Sequence, residues 1–225
     1  LYSCNAYRED NTYYTCSVNT AVGSMAMYST TTGYGNTALG NHALYYNTTG
    51  AYNTAVGDMA LYSSTTGRNN VAMGSNALYE NTTGSYNTAL GFTALQNNIS
   101  GDGNTAVGHS VQRKNTTGSY NTGLGYGSLR ANTTGSSNTG IGRTALYSNT
   151  TGEHNVALGR SALYDSITGS FNIAMGDYAL GNNTTGEKNV AIGYQAGYSS
   201  TISSENIAIG YQALYSHTDF FGTSL

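Results

Sequence analysis

A period of 17 residues runs through the chain without insertion or deletion. Its first residue is Asn at 12 successive steps, Asn19, Asn36, Asn53, Asn70, Asn87, Asn104, Asn121, Asn138, Asn155, Asn172, Asn189 and Asn206. A full unit reads Asn-Thr-Ala-aliphatic-Gly-x-x-Ala-Leu-Tyr-x-Asn-Thr-Thr-Gly-x-x, as in the unit that opens Asn87-Thr88-Ala89-Leu90-Gly91. Strict self-similarity of this kind marks a stacked architecture in which each unit touches only its neighbours. A unit of 17 residues is too short for a helical pair, Gly and Thr disfavour helix, and one turn of Ala-Leu-Tyr is not stable alone. The expected fold is all-β: an elongated parallel β-solenoid (β-roll) of twelve 17-residue rungs. Thr-Ala-aliphatic and Ala-Leu-Tyr read as two short strands, and Asn-Thr-Thr-Gly as a turn. The period does not suit a triangular coil of three hexapeptides, so a flattened two-strand roll is expected. At about 4.8 Å per rung, the stack is a rod on the order of 58 Å long.

Residues 19–222 therefore form one domain, with 1–18 as an N-terminal cap or junction and 223–225 as a C-terminal tail. A cap covers the unpaired backbone groups at the end of a stack. Cys4 and Cys16 are the only cysteines and form a candidate disulfide in that segment. It would be worth roughly 3 kcal/mol in the chain-entropy model and would fit an oxidising setting. Two free thiols are the alternative. Position 4 of the unit is always Val, Leu, Met or Ile, and position 9 is Leu apart from Met27, Gln112 and Gly197. Both columns are expected to fill the interior, with position 2 at the edge of the core. Positions 3 and 8 are almost always Ala, so something packs close against them, either the opposite wall or a neighbouring chain. The repeated Asn suits a side-chain amide ladder, and the repeated Gly suits backbone that L-residues avoid.

Charged residues make up 8% of the chain, its formal net charge is −3, and it has no basic run, which argues against nucleic acid as a partner. No apolar stretch approaches the ~18 residues of a membrane span. His42, His109, His154 and His217 fall at four different positions of the unit, so they do not line up as a metal site. Asp58 and Asp177 share a position but lie seven rungs apart. The calcium-binding nonapeptide and the nucleophile-elbow motif are missing. No catalytic group and no cofactor are expected.

Two columns are candidate sites. Position 10 carries Tyr28, Tyr45, Tyr62, Tyr79, Tyr147, Tyr164, Tyr198 and Tyr215, broken at Gln96, Arg113, Arg130 and Gly181. Stacked tyrosines stabilise a solenoid, and an exposed tyrosine stripe would also offer a sugar or a surface both apolar area and hydroxyls. Sequons occur at Asn47, Asn81, Asn98, Asn115, Asn132, Asn149, Asn182 and Asn183, which makes them candidate glycosylation sites if they lie on an exposed turn. Good turn residues would produce the same sequence.

The motif Asn-Thr/Val/Ile-Ala-aliphatic-Gly-x-x-Ala resembles the repeat of the left-handed β-roll heads of trimeric autotransporter adhesins. It is also similar to repeats of phage tail-fibre-like and bacterial surface-fibre proteins. Gly193-Tyr194-Gln195-Ala196 and Gly210-Tyr211-Gln212-Ala213-Leu214-Tyr215 carry the likeness most clearly, and it extends over residues 19–222. The 17-residue unit departs from the adhesin heads by its additional Asn-Thr-Thr-Gly turn, and no membrane anchor, coiled-coil stalk or C-terminal chaperone domain is recognisable. The resemblance implies a homotrimer on the outside of a cell or virion that attaches to cells, glycans or a matrix. Two other readings compete. The chain could be the subunit of an end-to-end filament joined through Cys4, Cys16, Phe220 and Phe221, or an ice-binding solenoid using its Thr columns.

Overall fold

The computed structural model describes residues 18–216. It is an all-β solenoid whose 12 parallel strands lie in one sheet in strict sequence order. Each strand has three residues, from β1 (Thr20–Val22) to β12 (Ile207–Ile209), and occupies positions 2 to 4 of its unit. Pairing is in register at one-unit spacing, with Ala38 opposite Ala55 and Ala89 opposite Ala106. Each rung therefore presents the same side chain directly above its equivalent.

Among the described residues the expected second strand of each rung is absent. Positions 7 and 9 adopt left-handed backbone, as in His42 (φ 54°), Leu44 (φ 53°) and Leu95 (φ 51°). The segment nevertheless bonds to the next rung: Leu44 N–H donates to Ala60 O at 3.0 Å, and Tyr46 N–H to Tyr62 O at 3.0 Å. The left-handed residues explain why a strand is not used. An extended strand sends adjacent side chains to opposite faces, whereas here Ala43 and Leu44, and likewise Ala94 and Leu95, are both fully buried. Left-handed backbone costs an L-residue about 1–2 kcal/mol. Two such residues in this segment of a rung together cost about 2–4 kcal/mol; burying one leucine offsets about 1.5–3 kcal/mol of it, and the rung-to-rung bonds keep the backbone paired.

The core is correspondingly narrow. Position 3 points inward, and Ala38, Ala55, Ala89 and Ala157 have no exposed surface. Across the rod it meets position 8 of the preceding rung. Gly123 replaces Ala where position 8 is Val111, and a Cβ there would come within 2.5 Å of the Val111 Cγ1. Gly140 replaces Ala opposite Ser128, whose Oγ would lie 2.6 Å from such a Cβ. The close packing at the small positions is thus between the two walls of a single chain.

The assignment of position 4 to the interior is overturned. Alternation along a three-residue strand sends positions 2 and 4 outward once position 3 faces in. Leu39 is 48% exposed, Leu124 44% and Ile141 37%. The single large aliphatic inside most rungs is the position-9 leucine.

Much of the remaining interior is polar. In rung after rung the position-1 Asn side chain spans the rod: Asn53 Nδ2 donates to Gly67 O at 2.9 Å, and its Oδ1 accepts from the Asn70 backbone N–H at 3.0 Å. A second ladder runs through position 12, where Asn98, Asn115, Asn132 and Asn149 each donate from Nδ2 to the preceding Oδ1 at 2.7–2.8 Å. Buried amides are stabilising only when paired, and these pair with one another and with the position-15 carbonyls. Glycine at position 5 is required by the spacing of the rungs. Gly74 has φ 138°, and a Cβ there would sit 2.6 Å from the Gly91 carbonyl oxygen above.

Candidate binding surfaces

Three surfaces leave the core with a regular chemistry: the outer face of the sheet, the tyrosine side and the Asn-Thr-Thr turn. On the sheet, position 2 is Thr, Val or Ile and position 4 Val, Leu, Met or Ile in all 12 rungs, so the face carries no charge. It is only 10 Å or so wide, three residues at about 3.3 Å each, and about 58 Å long.

The position-10 tyrosines stack face to face. Ring centroids lie 5.2 Å apart for Tyr28–Tyr45, 5.3 Å for Tyr45–Tyr62 and 5.1 Å for Tyr62–Tyr79, with planes 11°, 20° and 1° apart. Tyr147–Tyr164 and Tyr198–Tyr215 repeat the arrangement at 5.2 and 5.4 Å. The faces of these rings are occupied by each other, so the column offers a ligand its edges and hydroxyls. Tyr46 meets Tyr62 edge-on, and a side-chain hydrogen bond with Tyr46 that favours the protonated Tyr62 phenol raises its pKa above the ordinary value. A second aromatic column, at position 6, escaped the sequence reading. His109 and Tyr126 stack at 5.2 Å with Phe92 tilted against His109 at 5.3 Å, and Tyr194 and Tyr211 stack at 5.4 Å. Its sequence signal is three rings one unit apart, in a column otherwise mixed with Ser, Asn, Asp and Arg.

Positions 6, 7, 10 and 11 belong to one continuous side. His42 at position 7 contacts Tyr45 at position 10. Tyr45 contacts Tyr46 at position 11, and Arg160 at position 6 lies over the Tyr178 ring at position 7. Where the tyrosine column breaks, this side becomes basic. Arg113 Nε donates to Gln96 Oε1 at 2.8 Å, and Arg130 Nη1 donates to the Tyr147 hydroxyl at 2.7 Å while its guanidinium lies over that ring. Lys114 and Arg143 are exposed beside them. Among the described residues the ion pairs are Arg160–Asp177 and Lys188–Glu205, so none of these four cations has an acidic partner.

The sequons are not an exposed glycosylation edge. Asn47, Asn81, Asn98, Asn115, Asn132, Asn149 and Asn183 are fully buried in the position-12 ladder. A sugar on any of them would break the stack. They recur because the amide bridges to the position-15 glycine carbonyl, as in Asn132 Nδ2 to Gly135 O at 2.9 Å. Asn182 alone is partly exposed. The turn threonines also divide their work. The position-13 hydroxyl donates to the carbonyl one rung on, as Thr133 does to Thr150 at 3.0 Å, while position 14 is exposed.

His42, His109 and His154 lie in different columns, and no group of three potential metal ligands comes together among the described residues. Cys4, Cys16, His217, Phe220 and Phe221 fall outside the described residues. A small cavity of about 20 Å³ opens beside Gly197, where the position-9 leucine is missing, against Leu180, Ala208 and Leu214. Among the described residues no helix is long and apolar enough to cross a membrane. Comparison of the chain with protein-family models, curated proteins and solved structures finds no match.

Proposed function

We propose that the chain is a structural and adhesive fibre segment, a rigid rod outside the cell that associates with copies of itself along the sheet and presents its remaining sides for attachment to cells, glycans or a matrix. The observation that carries this reading is the outer face of the sheet. Its two outward columns are aliphatic or Thr in every rung, and at about 10 by 58 Å they make a flat patch near 600 Å², at the upper end of what monomers leave exposed. A second copy is the occupant that fits best. It has the same rung spacing, so aliphatic columns meet aliphatic columns without offset, and no charge is left unpaired. The patch falls short of the ~800 Å² per partner of a standard interface, so association has to recruit flanking columns. A trimer, as the resemblance implies, would let each chain touch two others. Attachment through a repeated surface gains strength by avidity.

The ice-binding reading has less support, since position 4 carries no hydroxyl in any rung and position 2 turns to Val or Ile in five of them. Light scattering on the purified chain tests the proposal. The wild type should have a mass of two or more chains, and Leu124→Asp with Ile141→Asp should reduce it to one without unfolding the rod. A monomeric wild type would overturn self-association. The attachment reading is tested separately, by deleting whole 17-residue units: binding to cells or a matrix should fall with each rung lost.

A further inference from the structure

The charge of this chain is unevenly placed. From Asn104 to Gly152 it contains Arg113, Lys114, Arg130 and Arg143 and no Asp or Glu. That segment holds four of the eight cations and none of the eleven anions, so a chain of net charge −3 has a middle of formal charge +4. Stacking brings all four onto the side formed by positions 6, 7, 10 and 11, within three consecutive rungs, Arg113 and Arg130 being directly one above the other in column 10. The fold does not need them there, because eight other rungs place Tyr in that column. Two cations one rung apart, about 4.8 Å, with no carboxylate between them repel each other.

We propose that this side of rungs 6 to 8 binds an anionic polysaccharide, carboxylated or sulfated, lying along the rod axis. The proposal deepens the attachment reading and rests on it, since it names the chemistry that one presented side would take. The arginines are pre-positioned for the task. Arg113 is held through Nε by Gln96, which leaves both Nη groups without a partner among the described residues, and Arg130 is fixed against Tyr147 by a hydrogen bond and by its ring. A planar guanidinium so anchored can take a carboxylate or sulfate on two parallel N–H donors. Lys114 and Arg143, both exposed, flank this pair in columns 11 and 6 and widen the track. A sugar ring is about as long as a rung is deep, so a chain with an acidic group on each sugar or every second one keeps step with the cations. Nucleic acid fits less well. It carries a charge every ~3.4 Å per strand, out of step with the rungs, and the neighbouring rings of Phe92, His109 and Tyr126 lie against one another at 5.2–5.3 Å, which leaves no room between them for bases.

The test uses the full chain, with binding measured calorimetrically against heparin, polygalacturonate, neutral dextran and oligothymidylate at low and high salt. Heparin or polygalacturonate should bind, weaken with salt, and lose at least tenfold in affinity on Arg113→Tyr with Arg130→Tyr. These substitutions restore the column residue, so the melting temperature should stay or rise. Lys114→Ser with Arg143→Ser should weaken binding independently, in case the first pair disturbs folding. Arg68→Ser, at position 16, should change nothing. Tighter binding of heparin would show that sulfate adds to the site, and binding of polygalacturonate as tight or tighter that carboxylate suffices; either supports the site. No binding to either acidic polymer, unchanged affinity in both double variants, or equally tight oligothymidylate binding would overturn it. Self-association is read from particle mass, so the two proposals fail separately.

Discussion

Two columns of aliphatic side chains run the length of the rod and look alike in sequence, yet they differ in what they do. The position-9 leucines are the core; Leu44, Leu61, Leu78 and Leu95 have no exposed surface. The position-4 residues lie on the outside of the sheet, with Met73 46% and Leu124 44% exposed. The first column tolerates a polar break at Gln112 only because Gly123 makes room and Gln112 Nε2 finds the Thr105 carbonyl at 2.9 Å. The second varies freely among four aliphatic types. A hydrophobic position therefore does not tell which wall owns it, and only the backbone that precedes it decides.

Substitution should separate the columns sharply. Leu95→Asp leaves a charge in the core and should destabilise the rod by several kcal/mol, whereas Leu90→Asp, five residues earlier in the same rung, should change the melting temperature little. Equal losses measured by chemical denaturation would break the comparison. Next in size, Asn121→Ala removes an amide that donates to Gly135 O and accepts from Asn138 N–H, with an expected cost of about 2–3 kcal/mol. Two gains of about 1 kcal/mol or less are expected in the interior. Ser166→Asn would supply a donor to Asn149 Oδ1 and an acceptor to Asn183 Nδ2, reconnecting the position-12 ladder where Asn149 Oδ1 lacks a partner. Gly197→Leu would fill the 20 Å³ gap if the Leu180 side chain, 3.0 Å from the new Cβ, gives way. The smallest effect belongs to the surface. Burial raises the Asp165 pKa above the ordinary carboxylate value, so the ionised form opposes folding. That penalty is absent below the ordinary pKa and appears as pH rises through the shifted one. Asp165→Asn should raise the melting temperature slightly at neutral pH and not in acid.

The parallel solenoid and its register were legible because a 17-residue period with invariant Gly at position 5 admits few other stacks. The walls were not. Reading Ala-Leu-Tyr as a strand presumed alternating faces, and the left-handed backbone at His42 and Leu44 that turns both Ala43 and Leu44 inward leaves no mark in residue type. Thr54, Ala55 and Val56 could equally be read with either face inward until Ala55 is seen packed across the rod. The sequons misled for a related reason: Asn115-Thr116-Thr117-Gly118 is turn chemistry, but its Asn serves the interior. The basic side was invisible along the chain, where Arg113, Arg130 and Arg143 are well separated, and emerges only when the sequence is read down columns.

The hydrogen bonds between rungs run nearly along the rod, and the chain enters at the first rung and leaves at the last. Tension applied through the two ends is therefore borne by one interface between rungs at a time, the weakest first, instead of being shared across the sheet. A rung that peels away surrenders about 4.8 Å of rod and pays out roughly 60 Å of slack chain. Single-molecule stretching would record this as a sawtooth of near-equal steps. A rod with that response yields gradually under load, over many times its resting length.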